Sequence, residues 1–378
     1  MRILLTTDTV GGVWTFTREL STELLCRGHQ VALVSFGRSP SAAQVASCSE
    51  QARTFGRAFR YTASAAPLEW MPNNHEVLRE DRDLLLRVAH SFLPDVFHSN
   101  QFCYGALDIH CPTLITAHSD VLSWAEACRP SGLENSAWLR RYETLVINGI
   151  RNANAIVAPT RWMSQALSRQ YQDVPPVHTV LNGRQVTPYV RDRKLQAVSV
   201  GRLWDEAKNV GMLREVIAPF PILVAGEQQH QGSSAPTELG PAVSLGPLSE
   251  LELVNLFSES SVYIATSVYE PFGLAPLEAA LCGCAVLAND IPSLREVWGE
   301  AALYFHNATS LSSLLAHLRA DAAALRHARE RSAKRARRLT PARMADQYEM
   351  LYAELIATRE DRTEIEGASF QELAAHVA

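Results

Sequence analysis

The sequence predicts an α/β protein built from two Rossmann-like domains, and three observations carry that prediction. The chain has 378 residues, more than one hydrophobic core usually organises. Short runs of Val, Ile, Leu and Ala alternate with amphipathic stretches along most of it, the pattern of parallel strands buried on both faces and the helices that cover them. The alternation breaks over residues 183–194, where Gly183, Pro188 and the charged run Arg191, Asp192, Arg193 and Lys194 leave no apolar period.

The first domain is expected over residues 1–185. Its strands are read at 3–6, 31–36, 96–98, 113–117, 155–158 and 177–181. Residues 14–27 repeat apolar side chains at helical spacing and stop at Gly28, a residue that readily ends a helix. The second domain is expected over residues 195–340, with strands at 197–200, 221–225, 242–245, 262–266, 285–288 and 302–305. One helix is expected over 276–282 and another from near Asn209. The one strongly basic helix, 326–338, sets seven cations against Glu330; it reads mainly as a solvated face, with a membrane-surface role possible but not favoured. Beyond Pro341, residues 344–355 are amphipathic, and the tail from about Arg359 reads as a loose extension.

Composition narrows the function. A net charge of −5 argues against general nucleic-acid binding, which needs many phosphates neutralised. Seven scattered cysteines suggest reduced thiols, and the spacing of Cys282 and Cys284 is not that of a zinc site. The chain enters a strand at once, without a charged-then-apolar leader, and has no apolar run of the ~20 residues that span a bilayer. These features predict a cytoplasmic protein. No metal site is expected.

Several positions carry chemistry. Glu270 and Glu278 bracket Pro271, Phe272, Gly273 and Leu274, between an apolar strand and a helix. Amides at the start of that helix favour phosphate or sugar hydroxyls, and each carboxylate can accept paired bonds from vicinal hydroxyls, one set on a hexose and one on a ribose. Gly11 and Gly12 follow the first strand, where a backbone without Cβ atoms can approach a phosphate. No G-x-G-x-x-G pattern is present, which argues against a nicotinamide or flavin cofactor. Arg202 and Lys208 are loop cations after the strand at 197–200, able to stabilise a departing diphosphate without a metal. His118, Asn100 and Gln101 stand at the carboxyl ends of strands, where ligands of such sheets bind.

The E-x7-E of Glu270 and Glu278, with the Gly11–Gly12 pair, the Gly201-Arg202-Leu203 to Lys208 segment and Asn182-Gly183, resembles the retaining glycosyltransferases of family 4. The resemblance covers residues 1–355 and implies the GT-B arrangement, two Rossmann-like domains facing across a cleft. It also implies that a last helix, here 341–358, crosses back to the first domain. A sugar would pass from a nucleoside diphosphate sugar to a hydroxyl acceptor with retention, without metal or other cofactor, by front-side attack assisted by the leaving diphosphate. His118, Glu270, Arg202 and Lys208 would be catalytic. Gly11, Gly12, Phe272, Gly273, Leu274 and Glu278 would bind the donor, and Asn100 and Gln101 the acceptor. Asn209 stands where the family commonly has Gly. The alternatives are a sugar-nucleotide 2-epimerase and a non-catalytic nucleotide-sugar-binding protein.

Overall fold

The computed structural model describes residues 1–228 and 237–377. The apolar runs form two parallel sheets. The first comprises β1 (Arg2–Asp8), β2 (Gln30–Phe36), β3 (Phe59–Ala63), β4 (Val96–Ser99), β5 (Thr113–Thr116), β6 (Ala155–Ala158) and β7 (Val177–Thr179), in the order β3-β2-β1-β4-β5-β6-β7. The second comprises β8 (Lys194–Val200), β9 (Ile222–Ala225), β10 (Val243–Gly246), β11 (Ser260–Ala265), β12 (Ala285–Asn289) and β13 (Leu303–Phe305), in the order β10-β9-β8-β11-β12-β13. Continuous apolar strands such as β6 and β11 are buried along their whole length, as double-sided helix cover requires. Strand β3 has no counterpart in the sequence reading. Its Phe-Arg-Tyr-Thr-Ala lies at a sheet edge and mixes exposed with buried positions, so it shows no apolar run.

Strand order reverses between β1 and β4 in the first sheet and between β8 and β11 in the second. Such reversals send the following connections to opposite faces and open a crevice at the carboxyl ends of the two strands. Both crevices hold the residues singled out by their chemistry, as described below.

The last helix, Pro341–Val377, leaves the second domain and packs on the first. Its Met344, Ala345, Tyr348 and Tyr352 are buried in one core with Ile3, Leu5 and Val96. Polar bonds fix its position: His98 bonds the Tyr352 hydroxyl at 2.6 Å and Thr116 Oγ1 at 2.7 Å. The helix continues past residue 358, the expected end, to Val377, so the stretch after Arg359 is helical. Where it crosses, a Cβ on Gly183 would lie 2.2 Å from the Thr340 carbonyl, and only glycine lets the hinge approach so closely.

The basic helix occupies Ala322–Ala336. Two of its arginines are half-buried and hold the second domain together: Arg329 donates to the Gly283 carbonyl at 2.8 Å and Arg335 to the Val297 carbonyl at 2.6 Å. Among the described residues no helix is long and apolar enough to cross a membrane. Cys282 and Cys284 are buried, unpaired and small enough for the turn they occupy.

Candidate active site

After β11 the chain turns sharply at Gly273, whose φ of 89° lies in the left-handed region. A Cβ there would also meet Pro276 Cγ at 2.9 Å and Glu270 Cγ at 3.2 Å, so the turn requires glycine. The helix Leu274–Leu281 starts immediately, presenting unpaired amides toward the crevice. Phe272 has its ring in the core, 3% exposed, so it offers a ligand its backbone and not its side chain.

Glu270 stands at the mouth of this turn. Its Oε2 accepts from Lys208 Nζ at 2.6 Å and from Ser267 Oγ at 3.1 Å. Lys208 reaches it from the loop after β8, where Thr266 Oγ1 donates to the Lys208 carbonyl at 2.6 Å and holds the two loops together. Arg202, in the same loop, pairs with Asp205 at 2.6 Å and lies over the Trp204 ring at 5.4 Å. The α-helix expected from near Asn209 is absent. Two 3-10 segments, Glu206–Lys208 and Val210–Glu215, take its place, separated by Asn209 at φ 47°. Asn tolerates this left-handed conformation, which accounts for its standing in for glycine, and the break removes the helix-end amides expected beside Lys208.

The first domain meets this site through Gly12, where an added Cβ would lie 3.3 Å from Leu274 Cδ1. Gly11, at φ 86°, forms the turn into the helix Gly12–Cys26. Both glycine segments read from the sequence therefore come together across the cleft. Asp8, at the end of β1, is buried and its carboxyl is raised to about 7 by desolvation, opposed by the Val10 amide and by the charge of Arg202. That carboxyl feels the charge of the donor-side Arg202, and the sequence reading missed it. A carboxylate between a strand end and a Gly-Gly turn was the available signal.

His118 sits at the end of β5, edge-on to Phe16 with ring centroids 4.5 Å apart. Burial lowers its pKa to about 3, so the imidazole is neutral at physiological pH. Its Nε2 lies 2.7 Å from Asn100 Oδ1. Asn100 Nδ2 donates to the Thr6 carbonyl at 2.6 Å, which leaves Oδ1 as acceptor and makes His118 Nε2 the donor. The Nδ1 lone pair is then available to a ligand. Asn100, expected on the acceptor side, thus orients His118 through its side-chain amide. Gln101 is 3% exposed, and neither the nitrogen nor the oxygen of its side-chain amide has a hydrogen-bond partner among the described residues.

Contacts on several sides hold the domains together. Thr160 Oγ1 donates to the Pro271 carbonyl at 2.9 Å, and Tyr269 Oη accepts from the Asp120 amide at 3.1 Å. Glu296 caps the first amides of the helix Arg161–Gln170 at 2.7 and 2.9 Å. Glu278, one turn inside the helix Leu274–Leu281, accepts from Arg184 Nε at 2.7 Å. Arg184 also bonds Glu19 and Glu250, and was not singled out from the sequence because a cation after a hinge glycine looks like a solvated linker residue.

Residues 10–186 match the family described as Glycosyltransferase Family 4, and residues 189–338 match Glycosyl transferases group 1. The chain belongs to glycosyltransferase family 4. Of its relatives, the α-maltose-1-phosphate synthase of Mycobacterium tuberculosis is 26% identical over 251 residues, covering 53% of this chain and 61% of the relative. The match thus spans about three-fifths of that relative's length. The glycogen synthase of the same species is 24% identical over 322 residues, 76% of each chain. Among solved structures, sucrose-phosphate synthase from Thermosynechococcus elongatus superposes with a TM-score of 0.70 at 19% identity, covering 95% of this chain and 100% of that one. Anabaena HepE, solved in complex with UDP and glucose, gives 0.72 at 14% identity, covering 94% and 99%. The chain therefore has the GT-B fold, with the two strand-order reversals facing each other across the cleft.

Proposed function

We propose that this family 4 glycosyltransferase is a retaining hexosyltransferase that moves a sugar from a nucleoside diphosphate sugar to a hydroxyl acceptor. The Lys208–Glu270 pair carries the reading: a cation and a carboxylate, 2.6 Å apart, at the carboxyl ends of β8 and β11 and beside a helix N-terminus. Without a ligand the two charges neutralise each other. With a donor bound, Lys208 and Arg202 face the diphosphate while Glu270 turns to the sugar hydroxyls. The amides of Gly273 and Leu274 support the same phosphates.

In the reaction the bond between the anomeric carbon and the diphosphate oxygen breaks, and its electron pair leaves with the phosphate. The acceptor oxygen attacks the same face of the sugar, and its proton passes to the departing phosphate. The two cations stabilise the charge that develops on that leaving group, the role a metal ion has in other transferases. Neutral His118 offers its Nδ1 lone pair near the sugar, where a protonated imidazole would oppose the positive charge growing at the anomeric carbon.

Relatives named as synthases of maltose-1-phosphate and glycogen support hexosyl transfer, and the UDP and glucose of the HepE complex support a nucleoside diphosphate donor. Unpaired cysteines support a reducing, cytoplasmic setting. The test is a melting-temperature screen of ADP-, GDP- and UDP-linked glucose and mannose, followed by proton NMR of the product from the stabilising donor. A transferred sugar with the donor's anomeric configuration is expected. Inverted product, or epimerisation of the donor with no acceptor present, would overturn the reading.

A further inference from the structure

Arg184 follows the hinge glycine, yet only 3% of its side chain is exposed. Its guanidinium meets three carboxylates from three helices. Nε donates to Glu278 Oε1 at 2.7 Å, one terminal nitrogen bonds Glu19 of Gly12–Cys26, and the other bonds Glu250 of Glu250–Glu259. Arg18 adds a two-pronged bond to Glu250 at 2.7 and 2.8 Å. Two cations thus face three carboxylates, leaving one net negative charge when all are ionised. Glu19 and Glu250 are shared with Arg18. Glu278 has Arg184 as its sole ion-pair partner among the described residues.

Glu278 is also the most enclosed of these carboxylates apart from Glu19, with 17% of its side chain exposed against 51% for Glu250. Burial raises its pKa, and Arg184 is the leading influence in the opposite direction. The other groups around it cannot replace that charge. Glu250 raises the pKa further, Arg18 lowers it less than Arg184 does and makes no bond to Glu278, and Tyr263 and Cys282 are themselves pushed upward by burial and stay neutral. Asp8 shows what burial does where no cation makes direct contact: its carboxyl reaches about 7. A protonated Glu278 would have a donor where a vicinal diol needs a second acceptor. Arg184 bonds Oε1, and Oε2 has no protein partner among the described residues.

We propose that Arg184 is a positioning residue that keeps Glu278 ionised and aimed at the ribose diol of a nucleoside diphosphate, and that its bond to Glu19 anchors this arrangement on the first domain. The proposal rests on the donor-site reading given above. Arg184 does not touch the reacting atoms, so its effect appears in nucleotide affinity and in how that affinity depends on pH.

Calorimetric titration of the full chain with UDP, GDP and ADP, from about pH 6 to about pH 8.5, tests it, with each variant compared to wild type at the same pH so that titration of the nucleotide cancels. Arg184→Met is expected to bind the preferred diphosphate at least ~tenfold more weakly than wild type at about pH 6 and to recover to within ~threefold at about pH 8.5, as Glu278 loses its proton. Arg184→Lys keeps the charge without the planar fork and should fall between the two. Glu278→Gln should bind weakly at every pH. A loss in Arg184→Met that is absent, or equal at all pH values, would overturn the proposal. If that variant does not fold, Arg184→Lys is decisive in the same way: a variant-to-wild-type ratio that does not change with pH overturns it. Wild-type affinity in Glu278→Gln would instead refute the ribose assignment itself, which separates the two failures.

Discussion

Replacing Lys208 by methionine separates catalysis from folding, because the proposed leaving-group role and the ion pair with Glu270 imply very different magnitudes for the two. Lys208 Nζ lies 2.6 Å from Glu270 Oε2, with 25% of the lysine and 16% of the glutamate side chain exposed. An ion pair at such a partly wet site contributes about 0 to 1 kcal/mol to folding. Lys208→Met retains most of the aliphatic stem, so the melting temperature should fall by no more than about 4 °C. In the proposed role, facing a departing diphosphate, the same cation would be one donor of a preorganised charge-stabilising site, worth about 2.7 to 4 kcal/mol, so turnover should fall by about 100- to 1,000-fold. Steady-state transfer at saturating donor and calorimetry with the free diphosphate read the two terms. Glu270→Gln supplies the contrast. It removes the carboxylate that competes with phosphate for Lys208, so affinity for the free diphosphate should stay equal or rise while turnover drops, since the lost contact exists only when a sugar is attached. Turnover of Lys208→Met within about threefold of wild type would refute the leaving-group role. So would a loss of activity that merely tracks a loss of folded protein.

Asn100→Ala should destabilise the protein by about 1 to 3 kcal/mol in chemical denaturation, because His118 Nε2 and the Thr6 carbonyl lose a buried partner, and should lower turnover through a misoriented imidazole. A change below about 0.5 kcal/mol would show that the pair has no such role. Asp8→Asn should stabilise the protein near pH 8 but not near pH 4. The folded carboxyl holds its proton up to about 7. The unfolded one releases it near ~3.9, so stability attributable to this group is lost as pH rises between those values. Equal melting shifts at both pH values would contradict that sign. Transfer should persist in excess EDTA; complete loss, restored by Mg²⁺ or Mn²⁺, would show that the cationic loop does not replace a metal.

What could be read from the chain is what local physics writes into it. Two series of apolar runs dictated two parallel sheets, because a strand buried on both faces has to be apolar throughout. The Glu270 to Glu278 segment announced a tight turn into a helix, because glycine and the helix start leave recognisable residues at fixed spacing. Strand β3 escaped because an edge strand has no continuous apolar run, and the helix expected after Lys208 failed because left-handed Asn209 broke it into 3-10 segments. Partnership was beyond the sequence. Residues 94 positions or more apart had to be brought together before Arg184 could be seen to hold Glu278, or Gly12 to meet Leu274. Asn100 likewise looked like a free strand-end amide until folding placed the Thr6 carbonyl and the His118 imidazole against it. Residue type and spacing decide which groups could bind or stabilise charge. Which of them are ionised, neutral or already engaged depends on burial and on neighbours from distant elements, and those exist only in the folded protein.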